Sequence, residues 1–389
     1  MSGTQAPVTI TEIPLGDPRI KQFVDFHWKH YKGNPYWVPQ LNADLLGNKL
    51  LGMTGLLMPE HPYHGYSKAT HFMAHRDGTP VGRISAVVNE RFNEFYDVKH
   101  ANFGFFEVIE DYDVAVALLD AARDWGRAQG MTVLRGPGEY SNATVERQGC
   151  LIEGFDQDVY LDHTYNPPYY QEFFERYGFT KAMDYVAHMI DLKAPIDPRV
   201  GRLAAAVRER GHLTTRPAEL SRLNDEVRLI VEIFNQAWAK NWGFLPLQEW
   251  EADTIAESVK PLIDPGLVRF AYYEGKPIAV LGAFPDPNYA LRPRWKWYGD
   301  SDYTRIARLF LTRRKIPRIR LIFFGIVPGY RRLGADALLY EEVHQWASTH
   351  GYGDCDVSLL LEVNELIISA AESMGGKKYK TWRIFDLPL

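Results

Sequence analysis

Two stretches of the chain carry residue types at spacings that could do chemistry. The first is DCDVSLLLEVN, Asp354 to Asn364. Read as a strand, its alternation puts Asp356, Ser358, Leu360 and Glu362 on one face. Glu362 is the candidate general base, acting on a nucleophile directly or through water. The alternative is a carboxylate at a helix N-terminus, beside Asn364 as N-cap of ELIISAAESM. The second is GIVPGYRRLGADALLYEEV, Gly325 to Val343, a strand end, a turn and a helix. Pro328 ends the strand, and Gly329 and Gly334 permit a tight turn. A helix starting near Gly334 and Ala335 offers unpaired N–H groups and the positive end of its dipole, a ready phosphate site. Arg331 and Arg332 add charge and forked donors. Asp336 is an anomaly there, because a carboxylate competes with phosphate for the same N–H groups. The alternative is an ordinary strand-to-helix connection with two solvated arginines.

Other candidates are weaker. Asp286 and Asn288 in FPDPNY could hold an amine or hydroxyls of a substrate, or simply form an aspartate turn. Asn241 and Trp242 end the helical run NQAWAKNW and could wall a cleft, whereas Trp238 reads as core. Arg313, Arg314, Lys315, Arg318 and Arg320 could meet a phosphate or an anionic membrane surface, or form a solvated edge. GEYSNATVERQGC contains no Gly-x-Ser-x-Gly elbow, which argues against a serine hydrolase. No paired-histidine or HExxH pattern suggests a metal, and none is expected.

The elements that must position these residues follow from patterning. The chain has 389 residues, enough for two domains. At 46% hydrophobic and 24% charged it is an ordinary globular composition, and a net charge of −5 argues against nucleic acid as main partner. The two cysteines, Cys150 and Cys355, lack metal-ligand spacing and suit a reducing compartment, so a cytoplasmic setting is expected. No signal-like start and no long apolar span is evident, although peripheral membrane contact is left open.

Residues 20–32 have helical spacing. Leu45 to Ser67, rich in Leu and Met, reads as a helix packed on the core, or as an adaptable apolar wall for a lipid chain. THFMAHRDGTPVGRISAVVNE is a hairpin turning at Asp77-Gly78. A strand, a helix closed by Gly130, a short strand, a helix ending at Gly178 and a last strand follow. KAPIDPRVG reads as a linker. The same order then recurs: helix, a hairpin turning at Glu274-Gly275, strand, helix, strand, helix, strand. The expected architecture is α/β, an internal duplication divided at 193/194, each unit a mixed, mostly antiparallel twisted sheet flanked by helices.

The sequence VPGYRRLGAD resembles the acyl-CoA pyrophosphate turn of the GNAT acyltransferase superfamily, Arg/Gln-x-x-Gly-x-Gly/Ala. Arg331 and Gly334 match, and Asp336 departs from the final Gly or Ala. EVN and Gly375-Gly376 resemble the superfamily's last motif. The first copy ends in YYQEFFERYGF, very like that motif, but FFEVIEDYDVAVALL has no glycine turn, so it resembles a unit that has lost its phosphate site. Over nearly its full length the chain is also similar to the bacterial ceramide synthase-like branch, through GNPYWVPQL, RGPGEYSNATVERQGCLIEGFD, NQAWAKNWGF, FPDPN and LLLEVNELIISAAESMGGKKYKTWRIF.

The resemblance implies tandem GNAT units and transfer of an acyl group, long-chain by the branch's example, from acyl-CoA or an acyl carrier protein to an amine such as a sphingoid-like base. The backbone N–H groups of Gly325, Ile326 and Val327 are the natural oxyanion donors if the strand ends splay there, and the resemblance implies that Arg331, Arg332, Gly334, Ala335 and Asp336 surround the pyrophosphate. Asn364 would border the pantetheine. Many such enzymes protonate the leaving thiolate from a tyrosine that here aligns with Ala371, and with Phe174 in the first copy. Ser358, Tyr379 or water would then replace it, or the thiolate would leave unprotonated. A small-molecule acetyltransferase and a non-catalytic acyl- or lipid-binding protein are the rival expectations. Oligomeric state is left open.

Overall fold

The computed structural model describes residues 6–138, 140, 147–295 and 300–389. Its elements, in chain order, are β1 Thr9–Pro14, α1 Ile20–His30, α2 Asn42–Leu46, β2 Ser67–Arg76, β3 Thr79–Asn89, α3 Glu90–Tyr96, β4 His100–Val108 and α4 Tyr112–Ala128. Then come β5 Val133–Gly136, β6 Cys150–Glu153, α5 Tyr169–Tyr177, β7 Thr180–Asp191, α6 Pro198–Arg210, β8 Leu213–Pro217, α7 Leu223–Ala237 and α8 Glu249–Val259. The remainder are β9 Val268–Tyr273, β10 Lys276–Pro285, α9 Asn288–Leu291, α10 Asp302–Thr312, β11 Arg318–Ile326, α11 Ala335–Thr349, β12 Asp354–Leu361, α12 Glu365–Ser373 and β13 Lys377–Pro388.

Two compact units result. Unit 1 comprises residues 1–184, 292–305 and 381–389, and unit 2 comprises 185–291 and 306–380. Residues 185–193, 292–305 and 381–389 thus fall on the other side of a linear division at 193/194. In unit 1 the sheet runs β1-β2-β3-β4, all antiparallel neighbours, then β5 parallel to β4, then the end of β13 antiparallel to β5. In unit 2 it runs β8-β9-β10-β11 antiparallel, then β12 parallel to β11, then Tyr185–Asp191 of β7 antiparallel to β12. The expected mixed, mostly antiparallel duplication is borne out, down to a single parallel pair in the same place in each sheet.

Both hairpin turns fall where their sequence put them. Asp77 and Gly78, and again Glu274 and Gly275, all lie at positive φ, matching the twist of the flanking strands. α4 buries Val114, Ala115, Leu118, Leu119 and Ala122, the stripe a 3.6-residue period dictates. Each buried leucine there contributes about 1.5–3 kcal/mol. In unit 1 they pack with Phe103, Phe106, Phe174 and Phe179. In unit 2 one core joins Leu281, Ile319, Leu338, Leu339, Val343 and Ala371, and a second joins Ile230, Ile233 and Phe234 of α7 to Phe270 and Phe323.

Two expectations fail. Leu45 to Ser67 is not one helix: it is the end of α2 and two 3-10 turns, Lys49–Leu51 and Pro62–Gly65. A Cβ on Gly55 would lie 2.1 Å from the Gly47 nitrogen, so the glycines fold this segment back on itself. KAPIDPRVG is only half linker, because Asp197 caps α6 by accepting from the Arg199 N–H at 2.7 Å and Pro198 takes the first helical position. Among the described residues no helix is long and apolar enough to cross a membrane. Cys150 and Cys355 are both buried and free.

Candidate active site

Everything at the candidate site follows from one break in pairing in unit 2. β11 and β12 pair in parallel only from Arg318↔Asp354 to Leu321↔Val357. Both strands continue, to Ile326 and Leu361, without that pairing. The register of β12 against β7 shifts between Val357 and Leu360. The edge of β11 from Ile322 onward is therefore open toward β12. A pocket of about 180 Å³ fills the opening. Its lining is chiefly apolar, with Leu281, Leu321, Ile322, Phe324, Leu359, Leu360, Ile367 and Met374 prominent.

The turn at the end of β11 leads straight into α11. Gly334 is its N-cap at φ 82°, and no side chain caps the helix. The first N–H groups of α11 thus keep their donors outward, as a phosphate requires. Gly334 is needed for packing as well: an added Cβ would sit 2.6 Å from Val207 Cγ2 on α6. Ala335 is fully buried. Arg332 is exposed, and Arg331 donates to the Ala237 carbonyl at the end of α7 at 3.2 Å. A side chain in a turn is free to point outward, but Asp336 does not. It is half-buried and lines the pocket with Ala337, the next residue, and Tyr340, one turn along the same helix face.

The backbone donors sort by strand alternation. The Val327 N–H donates to the Ile278 carbonyl at 2.8 Å, so it is spent on β10. Gly325 shares that side, whereas Phe324 and Ile326 present their N–H and C=O to the open edge. Of the three residues expected to offer oxyanion donors, Ile326 is the one whose N–H faces the open edge. Gly325 has another task, since a Cβ there would lie 2.9 Å from that of Ala237, so its absence lets α7 approach.

Ser358 lines the pocket and belongs to a buried polar cluster. It donates to Asp356 Oδ2, Tyr379 donates to Asp356 Oδ1 at 2.9 Å, and Arg320 Nε lies 3.2 Å from Ser358 Oγ and 3.5 Å from Asp356 Oδ2. Glu362 is one residue beyond β12, half-buried and outside the pocket lining, because the register shift breaks the alternation that put it beside Ser358. Asn364 does occupy the N-cap of α12, but its side chain makes no cap hydrogen bond; its carbonyl accepts from Ile367 and Ile368.

The remaining candidates separate from the pocket. Asp286 and Asn288 are buried in a turn: Asp286 pairs with Arg318 at 2.7 Å and accepts from the Asn288 N–H at 3.2 Å. That is the aspartate turn, not an exposed substrate grip. The basic run divides accordingly, with Arg318 and Arg320 buried in ion pairs and Arg313, Arg314 and Lys315 exposed. Asn241 and Trp242 are half-buried, and Trp242 packs near Tyr185 with ring centroids 6.4 Å apart. The tryptophan that walls the pocket is Trp238, which reads as core from helical periodicity alone. Tyr340 was also missed. Burial pushes its phenol above the ordinary tyrosine range, and its spacing of four from Asp336 was the signal that could have found it.

Unit 1 is built differently at the matching place. There α4 is capped by Asp111, whose Oδ1 accepts from Asp113 N at 3.1 Å and Val114 N at 3.4 Å and whose Oδ2 is held by Arg76. A carboxylate of the chain already satisfies the donors that a phosphate would use. Part of the quoted stretch RGPGEYSNATVERQGC, at 139 and 141–146, lies outside the described residues.

No family model matches the chain. It is similar to a bacterial ceramide synthase of Caulobacter vibrioides, 28% identical over 388 residues, covering 98% of this chain and 98% of the relative. It is also similar to Protein YghO of Escherichia coli, 26% identical over 371 residues, covering 94% of this chain and 92% of that one. A solved tandem GNAT protein from the clavulanic acid biosynthesis pathway superposes over 98% of each chain with a TM-score of 0.56 at 10% identity. Another, a GCN5-related N-acetyltransferase from Sphaerobacter thermophilus, gives a TM-score of 0.52 at 11% identity over 98% of this chain. The fold is the GNAT fold, in tandem.

Proposed function

We propose that this protein is an N-acyltransferase that moves a long acyl group from an acyl-CoA or carrier-protein thioester to an amine such as a sphingoid-like base. The observation that carries the reading is the continuity of three parts in unit 2: an open β11 edge, an apolar pocket and the uncapped start of α11. The likeness in sequence to a bacterial ceramide synthase supports the reaction class. The donor's phosphate would rest on the first turn of α11, with Arg332 free beside it and Arg331 reachable once it leaves Ala237. The pantetheine amides would pair with the open edge of β11, and the acyl chain would lie among Leu281, Ile322, Phe324, Leu360 and Met374.

Chemistry then needs three proton or charge tasks. The amine nitrogen attacks the thioester carbonyl, and the Ile326 N–H steadies the oxyanion. The amine proton passes to Ser358 Oγ as Ser358 hands its own to Asp356, and Glu362 beyond the strand end carries it outward. The C–S bond breaks, the Tyr340 phenol protonates the thiolate, and solvent returns a proton to the phenolate as the products leave. The sum is an amide and a thiol.

Calorimetric titration with CoA and acyl-CoAs of rising chain length tests this, together with turnover on sphingoid-like amines. Affinity that rises with chain length and falls in Arg332→Ala and Arg331→Ala supports the reading. Absence of thioester binding in the wild type and in Asp336→Gly would overturn it. Binding without turnover on any amine would leave an acyl-binding protein instead.

A further inference from the structure

Unit 1 holds a second pocket that the proposed chemistry does not use. β4 and β5 pair only from His100↔Val133 to Asn102↔Arg135, and β4 runs on to Val108. A small pocket of about 80 Å³ lies beyond the last pair, lined by Phe105, Phe106 and Glu107 of β4 and by His27, Arg83 and Arg147. Trp37 and Tyr170 form aromatic walls.

Among the described residues, the donors of this lining are not all used. Arg83, almost wholly buried, is spent: Nε pairs with Glu107, Nη1 donates to the Phe23 carbonyl, and Nη2 donates to His27 Nδ1 at 3.1 Å. That last bond makes His27 Nδ1 an acceptor, which puts the ring proton on Nε2. His27 is 5% exposed, and its Nε2 is buried with no partner among the described residues. Arg147 gives both terminal nitrogens to the Val38 carbonyl, each at 3.2 Å, and its buried Nε also has no partner among the described residues. Two buried N–H donors of this lining that have no partner among the described residues call for an acceptor, since each costs about 1–3 kcal/mol unsatisfied.

Charge narrows the acceptor. Among the described residues the lining carries two guanidinium groups and one carboxylate, leaving one positive charge. Burial, with Arg83, Arg147 and Arg305 nearby, keeps His27 neutral. A group with one negative charge balances this, and a second negative charge would face Glu107 at close range. We propose that the pocket of unit 1 binds a small monocarboxylate, its two oxygens accepting from His27 Nε2 and Arg147 Nε, with its short apolar remainder against Trp37 and Tyr170. It is not a second nucleotide site, because Asp111 already occupies the start of α4.

The full chain is titrated calorimetrically with sodium acetate, sodium butanoate and inorganic phosphate, and the ¹⁵N–¹H signal of the His27 ring is followed. Saturable binding of acetate or butanoate that shifts the His27 Nε2–H signal, and that weakens about tenfold or more in Arg147→Met, is the expected result. His27→Phe, with unfolding curves recorded alongside, should lose the binding while remaining folded; if it does not fold, the ring signal of the wild type decides. Carboxylate binding unchanged in Arg147→Met overturns the proposal. So does binding of phosphate in preference to both carboxylates, or no saturable binding at all, which would leave ordered water on the two donors.

Discussion

The indole Nε1 of Trp238 donates to the carbonyl oxygen of Phe324 at 3.1 Å. That oxygen faces the open edge of β11, where a pantetheine amide would need it. The same end of α7 holds Arg331 through the Ala237 carbonyl. The end of α7 therefore occupies two groups that the proposed donor would use.

Trp238→Phe keeps an aromatic wall and frees the carbonyl. A neutral hydrogen bond is worth about 0.5–1.5 kcal/mol net, so acyl-CoA affinity should rise by roughly two- to tenfold. Titration calorimetry reads this directly. Equal or weaker affinity, in a variant that melts like wild type, would mean that the indole bond does not compete with the donor.

Asp336 lines the pocket at the first turn of α11. Asp336→Asn removes a negative charge near the proposed phosphate position and should strengthen CoA binding by roughly fivefold at low salt, with the gain shrinking as salt rises. The same variant gives up a helix-dipole interaction, so its unfolding free energy should fall by about 0.3–1 kcal/mol.

Tyr340→Phe tests the proton donor. Turnover should fall by about tenfold to a hundredfold with KM nearly unchanged, since the ring packing remains. Because burial raises this phenol, the wild type should keep its donor past about pH 10, the ordinary tyrosine value. If the alkaline limb of kcat in the wild type falls at neutral pH, Tyr340 is not that donor.

Acid should weaken unit 1 through His71. Burial pushes its imidazole down from 6.5 to about 4, while its ring bonds the Ile13 carbonyl at 3.1 Å and the Tyr140 hydroxyl at 2.9 Å. Between those values the unfolded chain takes a proton and the folded one does not, so stability falls as pH drops through that window. Alone the effect is on the order of 3 kcal/mol. Asp44, raised by burial from 3.8 to about 6, holds its proton in the folded state and offsets part of the loss. Urea unfolding across pH should show the slope in the wild type and a flatter curve in His71→Gln.

Local chemistry made most of the elements legible. Asp77-Gly78 and Glu274-Gly275 announce hairpins because few other pairs accept positive φ in succession. The stripe of α7 announces its buried face because helical period is a local property. The strand–turn–helix at Val327 to Ala335 is legible for the same reason. Leu45 to Ser67 was not, because Gly47 and Gly55 act by meeting each other across a fold-back, a contact that composition cannot display.

What the sequence by itself determined is the duplicated order of strands and helices and the glycine turn before α11, since periodicity and backbone permission are carried by neighbours along the chain. What only the tertiary structure decided is where pairing stops. β11 and β12 part after Leu321 and Val357, and that break brings Ser358, Tyr340 and Trp238 to one pocket while leaving Glu362, Asp286 and Trp242 outside its lining. Register between strands is a long-range balance of packing on both faces, so an alternation read along one strand fails at the first irregularity.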